Sequence, residues 1–292
     1  MAKPNAISAD FSAIVAVREV KHVLDTRLLF DADHDDSLIS PIDQFIENTL
    51  RLNKMWVSKD ANTVLESELG ILLLLGYVSA VESYMRAMIR RLVAIDPFSQ
   101  KHCENLQLSF AAAVHHKAPM LPEALLEESV FSGKKGITGG LLKFLDVDAK
   151  SSKALNRLLE QYDLVCELRH CCVHRFGKLG AKNAVVLGMA SHKEFLEKPL
   201  SIKAGAMGTI ADLLFIVVKS INNEVFSAVM KRTATSLIAG QKGIGWTWNK
   251  AKDRRLFGQY YTIFYTKRDA QASPPQAELY ERFRGVFHKV KA

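Results

Sequence analysis

Apolar side chains recur at spacings of three and four along most of the chain, the period of a helix seen from one side. This pattern predicts an amphipathic helix over residues 10–30, then the acidic turn DADHDDSLIS at 31–40, then a helix that Pro41 opens and that runs to about Lys54. A long helix follows from about Val64 to Ile95. It carries Val78, Val81, Met85, Met88, Ile89 and Leu92 on its later face, and Asp96-Pro97 stops it. Glu82 and Arg86 within it are spaced for an i,i+4 ion pair.

Residues 99–147 read as shorter helices, broken by Pro119, Pro122 and the Gly-rich run from Gly133 to Gly140. Another long helix starts at Ser151 or Ser152, either of which can cap it, and runs to Phe176, where Gly177 suits the position just past a helix end. Residues 178–200 read as a loop with a short strand at Ala184 to Leu187. A last long helix spans about Lys203 to Arg232, and Gly240, Gly243 and Gly245 break it off.

The tail differs in kind. Tyr260 to Tyr265 is rich in strand formers, Ser273-Pro274-Pro275 is a turn, and residues 276–290 return to helix with Leu279, Phe283, Val286, Phe287 and Val290 on one side. The expected architecture is all-α: N-terminal helices at 1–61, a helical domain at 62–235, and a small mixed module, basic and rich in aromatics, at 236–292.

Composition sharpens this division. The 292 residues hold 39 Lys and Arg against 31 Asp and Glu, a formal net charge of +8. From Lys231 onward there are 13 basic and 4 acidic groups, so the first 230 residues hold 26 and 27 and are nearly neutral. The same tail carries 10 of the 25 aromatic residues. A chain that is 48% hydrophobic can bury a core, which excludes wholesale disorder. Four cysteines exclude a disulfide-stapled scaffold, so Cys103, Cys166, Cys171 and Cys172 are expected to be reduced, buried thiols in a cytoplasmic protein. The N-terminus shows no signal-peptide pattern. The longest apolar stretch, Leu69 to Val81, falls short of the roughly 20 residues that cross a bilayer, and no membrane partner is expected.

The informative helix is SKALNRLLEQYDLVCELRHCCVHRFG, Ser152 to Gly177. One face collects Leu155, Leu158, Leu159, Tyr162, Val165, Cys166, Val173 and Phe176, with Arg169 in its middle. A guanidinium on an apolar face conflicts with its surroundings, and such conflicts concentrate at functional sites. The plainer alternative is an ion pair with a carboxylate of another helix, Glu82 for example. A second stripe is polar: Asp163, Glu167, His170 and His174. His174 lies in the last turn, where exposed carbonyls favour a cation, and an imidazole there can also move a proton. A metal site is the chemical competitor: His170 and His174 are four apart with Glu167 nearby, and His115 or His116 could add a ligand.

Arg169-His170-Cys171-Cys172-Val173-His174 is an Arg, four residues, then a His, at the end of a long helix in an all-α domain. It resembles the R-x4–6-H motif of the HEPN superfamily, over roughly residues 62–235. The resemblance implies a metal-independent endoribonuclease without cofactor, of a toxin, antiphage or stress type, whose motif helices face one another across a homodimer. Arg169 and His174 would be the catalytic pair, and His170, with Glu167 beside it, would support the site. An antitoxin or regulatory protein would be a further partner. The rival reading is a non-catalytic HEPN-like module that binds RNA or protein. In the tail, Lys250, Lys252, Arg254 and Arg255 sit beside Trp246 and Trp248, a mixture that suits phosphates and unpaired bases and so predicts an RNA-holding appendage.

Overall fold

The computed structural model describes residues 14, 15, 17, 18, 20–115, 120–238, 241, 242 and 244–288. The chain divides into two compact units, Met1–Leu38 and Ile39–Ala292. In the first, the described residues form only a short 3-10 turn at Thr26–Leu29, which the Asp25 carboxylate caps by accepting from the Arg27 amide. The helix expected over 10–30 is not formed by its described residues. Val17, Val20, Val23, Leu24 and Leu28 are all exposed, so no burial offsets the cost of ordering a helix there. Residues 10–13, 16 and 19 of that stretch lie outside the described residues, as do His116, Pro119, Gly240, Gly243 and Val290.

The second unit is all-α, with eleven α-helices among its described residues: α1 Pro41–Asn53, α2 Ser67–Ile95, α3 Pro97–Cys103, α4 Phe110–His115, α5 Leu121–Ala124, α6 Lys134–Leu145, α7 Lys153–Arg175, α8 Ala181–His192, α9 Ala204–Thr235, α10 Lys250–Phe264 and α11 Gln276–Phe287. Its only paired strands among those residues are the two-residue antiparallel segments Leu237–Ile238 and Gln241–Lys242. α2 is the hub, with α1, α3, α6, α7, α9 and α10 packed around it, and α7 packs against both α2 and α9. Tyr77, Val81, Tyr84, Met85 and Met88 of α2 are fully buried among Leu159 and Tyr162 of α7 and Leu214, Val218 and Ile221 of α9. By length and composition alone α2 and α9 could each cross a membrane; here they are the central helices of the bundle.

Three local expectations are corrected. The Gly133–Gly140 run begins a helix rather than breaking one. Gly133 holds φ +105° before its first residue, and Gly136 and Gly140 let Val130 and Phe131 lie against it: an added Cβ would meet Val130 O at 2.3 Å and Phe131 Cε1 at 2.5 Å. Ala184 to Leu187 is helical within α8, because a short apolar run does not by itself distinguish strand from helix. Tyr260 to Tyr265 is not a strand: α10 runs through Phe264. Asn249 caps it, accepting from Ala251 and Lys252 amides, and Phe257, Tyr260, Ile263 and Phe264 bury one helical face. Burial at helical spacing outweighs the strand preference of the individual residues.

The tail is bound into the bundle by buried polar groups. Asp96, fully buried where α2 gives way to α3, accepts from Arg232 of α9 at 2.6 Å, Ser99 Oγ at 2.6 Å and Tyr260 Oη of α10 at 3.0 Å. Asp43 of α1 accepts from Thr266 Oγ1 and from the Lys267 and Arg268 amides just past α10. Glu82 and Arg86 do not pair as expected. Arg86 turns instead to Glu123 at 3.2 Å and to the carbonyls of Leu126 and Ser129, which hold the segment after α5 against α2.

Candidate functional site

α7 positions the candidate site because both of its ends are fixed. Ser152 Oγ accepts from the Leu155 amide at 3.4 Å to start it. At its other end Phe176 and Gly177 both take left-handed backbone, at φ +50° and +84°, and the Gly177 amide donates to Cys171 O at 3.0 Å. The chain then folds back. The Leu200 amide donates to Gly177 O, Leu179 and Lys198 are joined through the backbone, and Arg175 pairs with Glu197. α8 thereby lies on the rear of α7, where Cys171, Leu179 and Ala184 form a small cluster of their own.

The face read as apolar divides along its length. Leu155, Leu159, Tyr162, Val165 and Cys166 are buried, whereas Val173 and Phe176 are 47% and 69% exposed. Periodicity groups those two with the others on the apolar face. The last turn of α7 instead projects beyond the packed helices and leaves them in solvent. Arg169 sits at the boundary, half-buried. Among the described residues no carboxylate, carbonyl or hydroxyl holds its guanidinium. Glu82 forms no ion pair with it, although both act electrostatically on the Cys166 thiol.

Burial pushes the Cys166 thiol up to about 12 and the Cys172 thiol up to about 11. It also pushes the Cys171 thiol above its ordinary value. These are packed thiols, and none is an activated nucleophile.

The polar stripe is reorganised. Asp163 leaves it: its Oδ1 accepts from the Lys134 amide at 2.6 Å and so caps the start of α6. Glu167 stays, with Oε1 3.6 Å from His170 Nδ1 and Oε2 accepting from Asn183 Nδ2 at 2.8 Å. The His170 and His174 rings stand 6.4 Å apart, and His174 is exposed. Sequence reasoning missed Asn183. It lies in the segment read as loop, just before the short strand expected at Ala184 to Leu187, where nothing gave it a partner. Among the described residues no three His, Cys, Asp or Glu side chains converge as metal ligands.

Arg169 and His174 are brought onto one helix end but not to one point. Five residues place them about 140° apart around the axis. One chain therefore presents a guanidinium and an imidazole on adjoining faces of an exposed helix end, with apolar Val173 and Phe176 alongside.

The tail residues separate by type. Trp246 is buried: it packs on Phe283 at 5.1 Å, and its Nε1 donates to Thr233 Oγ1 at 3.2 Å. Trp248 is partly buried against Phe283 at 5.6 Å, with its Nε1 enclosed. Trp246 has no free face for a base, and the Phe283 contact takes up a face of Trp248. Lys250, Lys252, Arg254 and Arg255 all reach solvent from α10, and among the described residues none of their side chains has an acidic partner.

No family model, curated protein or solved structure matches the chain.

Proposed function

We propose that this protein is a cytoplasmic, metal-independent endoribonuclease of HEPN type, a toxin or an antiphage or stress effector, active as a homodimer through the ends of two α7 helices. The observation that carries the reading is Arg169: a half-buried guanidinium with no partner among the described residues, five positions before an exposed His174 at the end of the same helix. A guanidinium kept for structure pairs with a carboxylate, because leaving it unpaired at a packed surface costs free energy. A second α7 apposed across a two-fold axis would put Arg169 of one chain near His174 of the other and cover Val173 and Phe176 of both.

The chemistry then needs few parts. The Arg169 fork grips the scissile phosphate and stabilises the charge that grows on it. His174 takes the proton of the RNA 2′-hydroxyl, whose oxygen attacks phosphorus. The bond to the leaving 5′-oxygen breaks, and that oxygen takes a proton from the second His174. The products are a 2′,3′-cyclic phosphate and a 5′-hydroxyl. His170, Glu167 and Asn183 form a buttress that orients the stripe carrying His174.

The test is an RNA in which a single 2′-hydroxyl is replaced by hydrogen. Cleavage should stop at that linkage and continue at its neighbours. Cleavage at the modified linkage would contradict the mechanism.

A further inference from the structure

α10 carries one acid and four cations, and the acid is turned inward. Asp253 is buried, accepting from Thr247, from the Trp248 amide and from Tyr280 Oη at 2.7 Å. The outward side of the helix is therefore purely cationic. The acids of α11 are already engaged, Glu278 with Arg282 and Glu281 with Arg284. Between the two helices lies a hollow of about 240 Å³, bounded by Lys250 and Arg254 and lined by Phe257, Tyr280, Gln276 and Ala277. A second, more open hollow of about 390 Å³ adjoins it, with Arg255, Gly258 and Thr262 on its wall and Arg254 and Gln276 shared with the first.

Gln276 Nε2 donates to Arg254 O at 2.8 Å, which ties the two helices together at the point the hollows share. Gly258 keeps that point close: a Cβ there would come 3.0 Å from Gln276 Nε2. Lys250 and Arg254 are one turn apart, about 6 Å along the axis. The result is one groove with three cations at intervals. Lys252 is not among its lining residues.

We propose that this groove holds the phosphodiester backbone of a nucleic-acid strand, and that it does so through phosphates alone. The proposal rests on the reading that RNA is the substrate, and it replaces base stacking with backbone contact because Trp246 is committed to the core. Three cations with no acidic partner among the described residues, beside a wall whose lining holds no acid, suit a run of phosphates, and each contact releases counterions on binding. Such a groove reads neither base identity nor the 2′-hydroxyl. It therefore takes RNA and single-stranded DNA alike and leaves discrimination to the chemistry at α7.

The experiment uses the full chain with His174→Ala, in EDTA, and a fluorescein-labelled oligouridylate titrated at several salt concentrations. Lys250→Ala/Arg254→Ala/Arg255→Ala should weaken binding roughly tenfold or more and flatten the dependence of log K on log salt by about 2. Lys252→Ala should change neither, tryptophan emission should stay constant on binding, and an oligothymidylate should bind as well. The proposal is overturned if the triple variant, with an unchanged melting curve, binds like its parent. It is also overturned if Lys252→Ala costs as much, or if ATP occupies the groove while the oligonucleotide affinity is indifferent to these cations. Failure of the nuclease reading is seen separately: groove-dependent binding by a protein that never cuts RNA removes that reading and leaves the groove.

Discussion

Asn183 Nδ2 donates to Glu167 Oε2 at 2.8 Å, so α8 is tied to the polar stripe of α7 next to His170. Without that bond the carboxylate would keep only its 3.6 Å approach to His170 Nδ1. Asn183→Ala should cost about 1 kcal/mol of stability, the ordinary contribution of one hydrogen bond. If the stripe orients His174, the same change should slow RNA cleavage roughly 10- to 100-fold with RNA affinity unchanged. Single-turnover rates beside equilibrium binding test this, and equal losses in both would show that Asn183 acts only on the fold.

Asp96 receives Arg232, Ser99 and Tyr260 in a fully buried position. Asp96→Ala leaves Arg232 as a buried cation without its counter-charge and should destabilise the protein by about 3–5 kcal/mol. Urea denaturation followed by circular dichroism checks it. A shift under 1 kcal/mol would mean that water reaches the network.

Phe176 is 69% exposed and Val173 47% at the end of α7. Phe176→Asp should leave the monomer folded, because the side chain packs on little of its own chain. It should shift sedimentation from dimer to monomer and abolish cleavage. A dimer that persists in the folded variant would place the two-fold contact elsewhere.

The buried thiols set a pH prediction. Cys166 titrates near 12 and Cys172 near 11 in the fold because burial disfavours the thiolate, against 9.0 for an unperturbed thiol. Above pH 9 the unfolded chain releases protons that the folded chain keeps, so the unfolded state gains. The thiol contribution to stability should be flat below about pH 9 and be lost as pH rises from there toward 12. Buried tyrosines, raised above 10.0 by the same cause, add in the same direction. Urea midpoints at pH 8 and pH 10 test it, with the higher midpoint expected at pH 8. In the native protein at pH 8, neither cysteine should react with Ellman's reagent.

The features that were legible in the sequence carry their own local signals. α7 was readable because Ser152 caps its start and Gly177 its end, and α1 because Pro41 opens it. Asp96-Pro97 marked the junction of α2 and α3 for the same reason. What was not legible depends on partners distant in sequence. Nothing near Tyr260 says that it will bond to Asp96, and that burial is part of what makes its segment a helix. Nothing near Asp163 says that it caps α6, so the polar stripe looked one residue longer than it is. Phe176 falls on the apolar face in the sequence yet stands in solvent, because periodicity reports the face of a helix and not where its neighbours stop. The isolation of Arg169 is likewise a fact of tertiary packing. The sequence showed a guanidinium out of place, and only the fold shows that Glu82 does not meet it.

The central claim is that Arg169 and His174 cut RNA without a metal. The most direct measurement is cleavage of a 5′-labelled RNA in EDTA by the purified protein, beside His174→Ala of equal thermal stability. The account predicts cleavage by the parent, with 2′,3′-cyclic phosphate ends, and none by the variant. Cleavage that requires an added divalent ion, or that continues undiminished in His174→Ala, would contradict it.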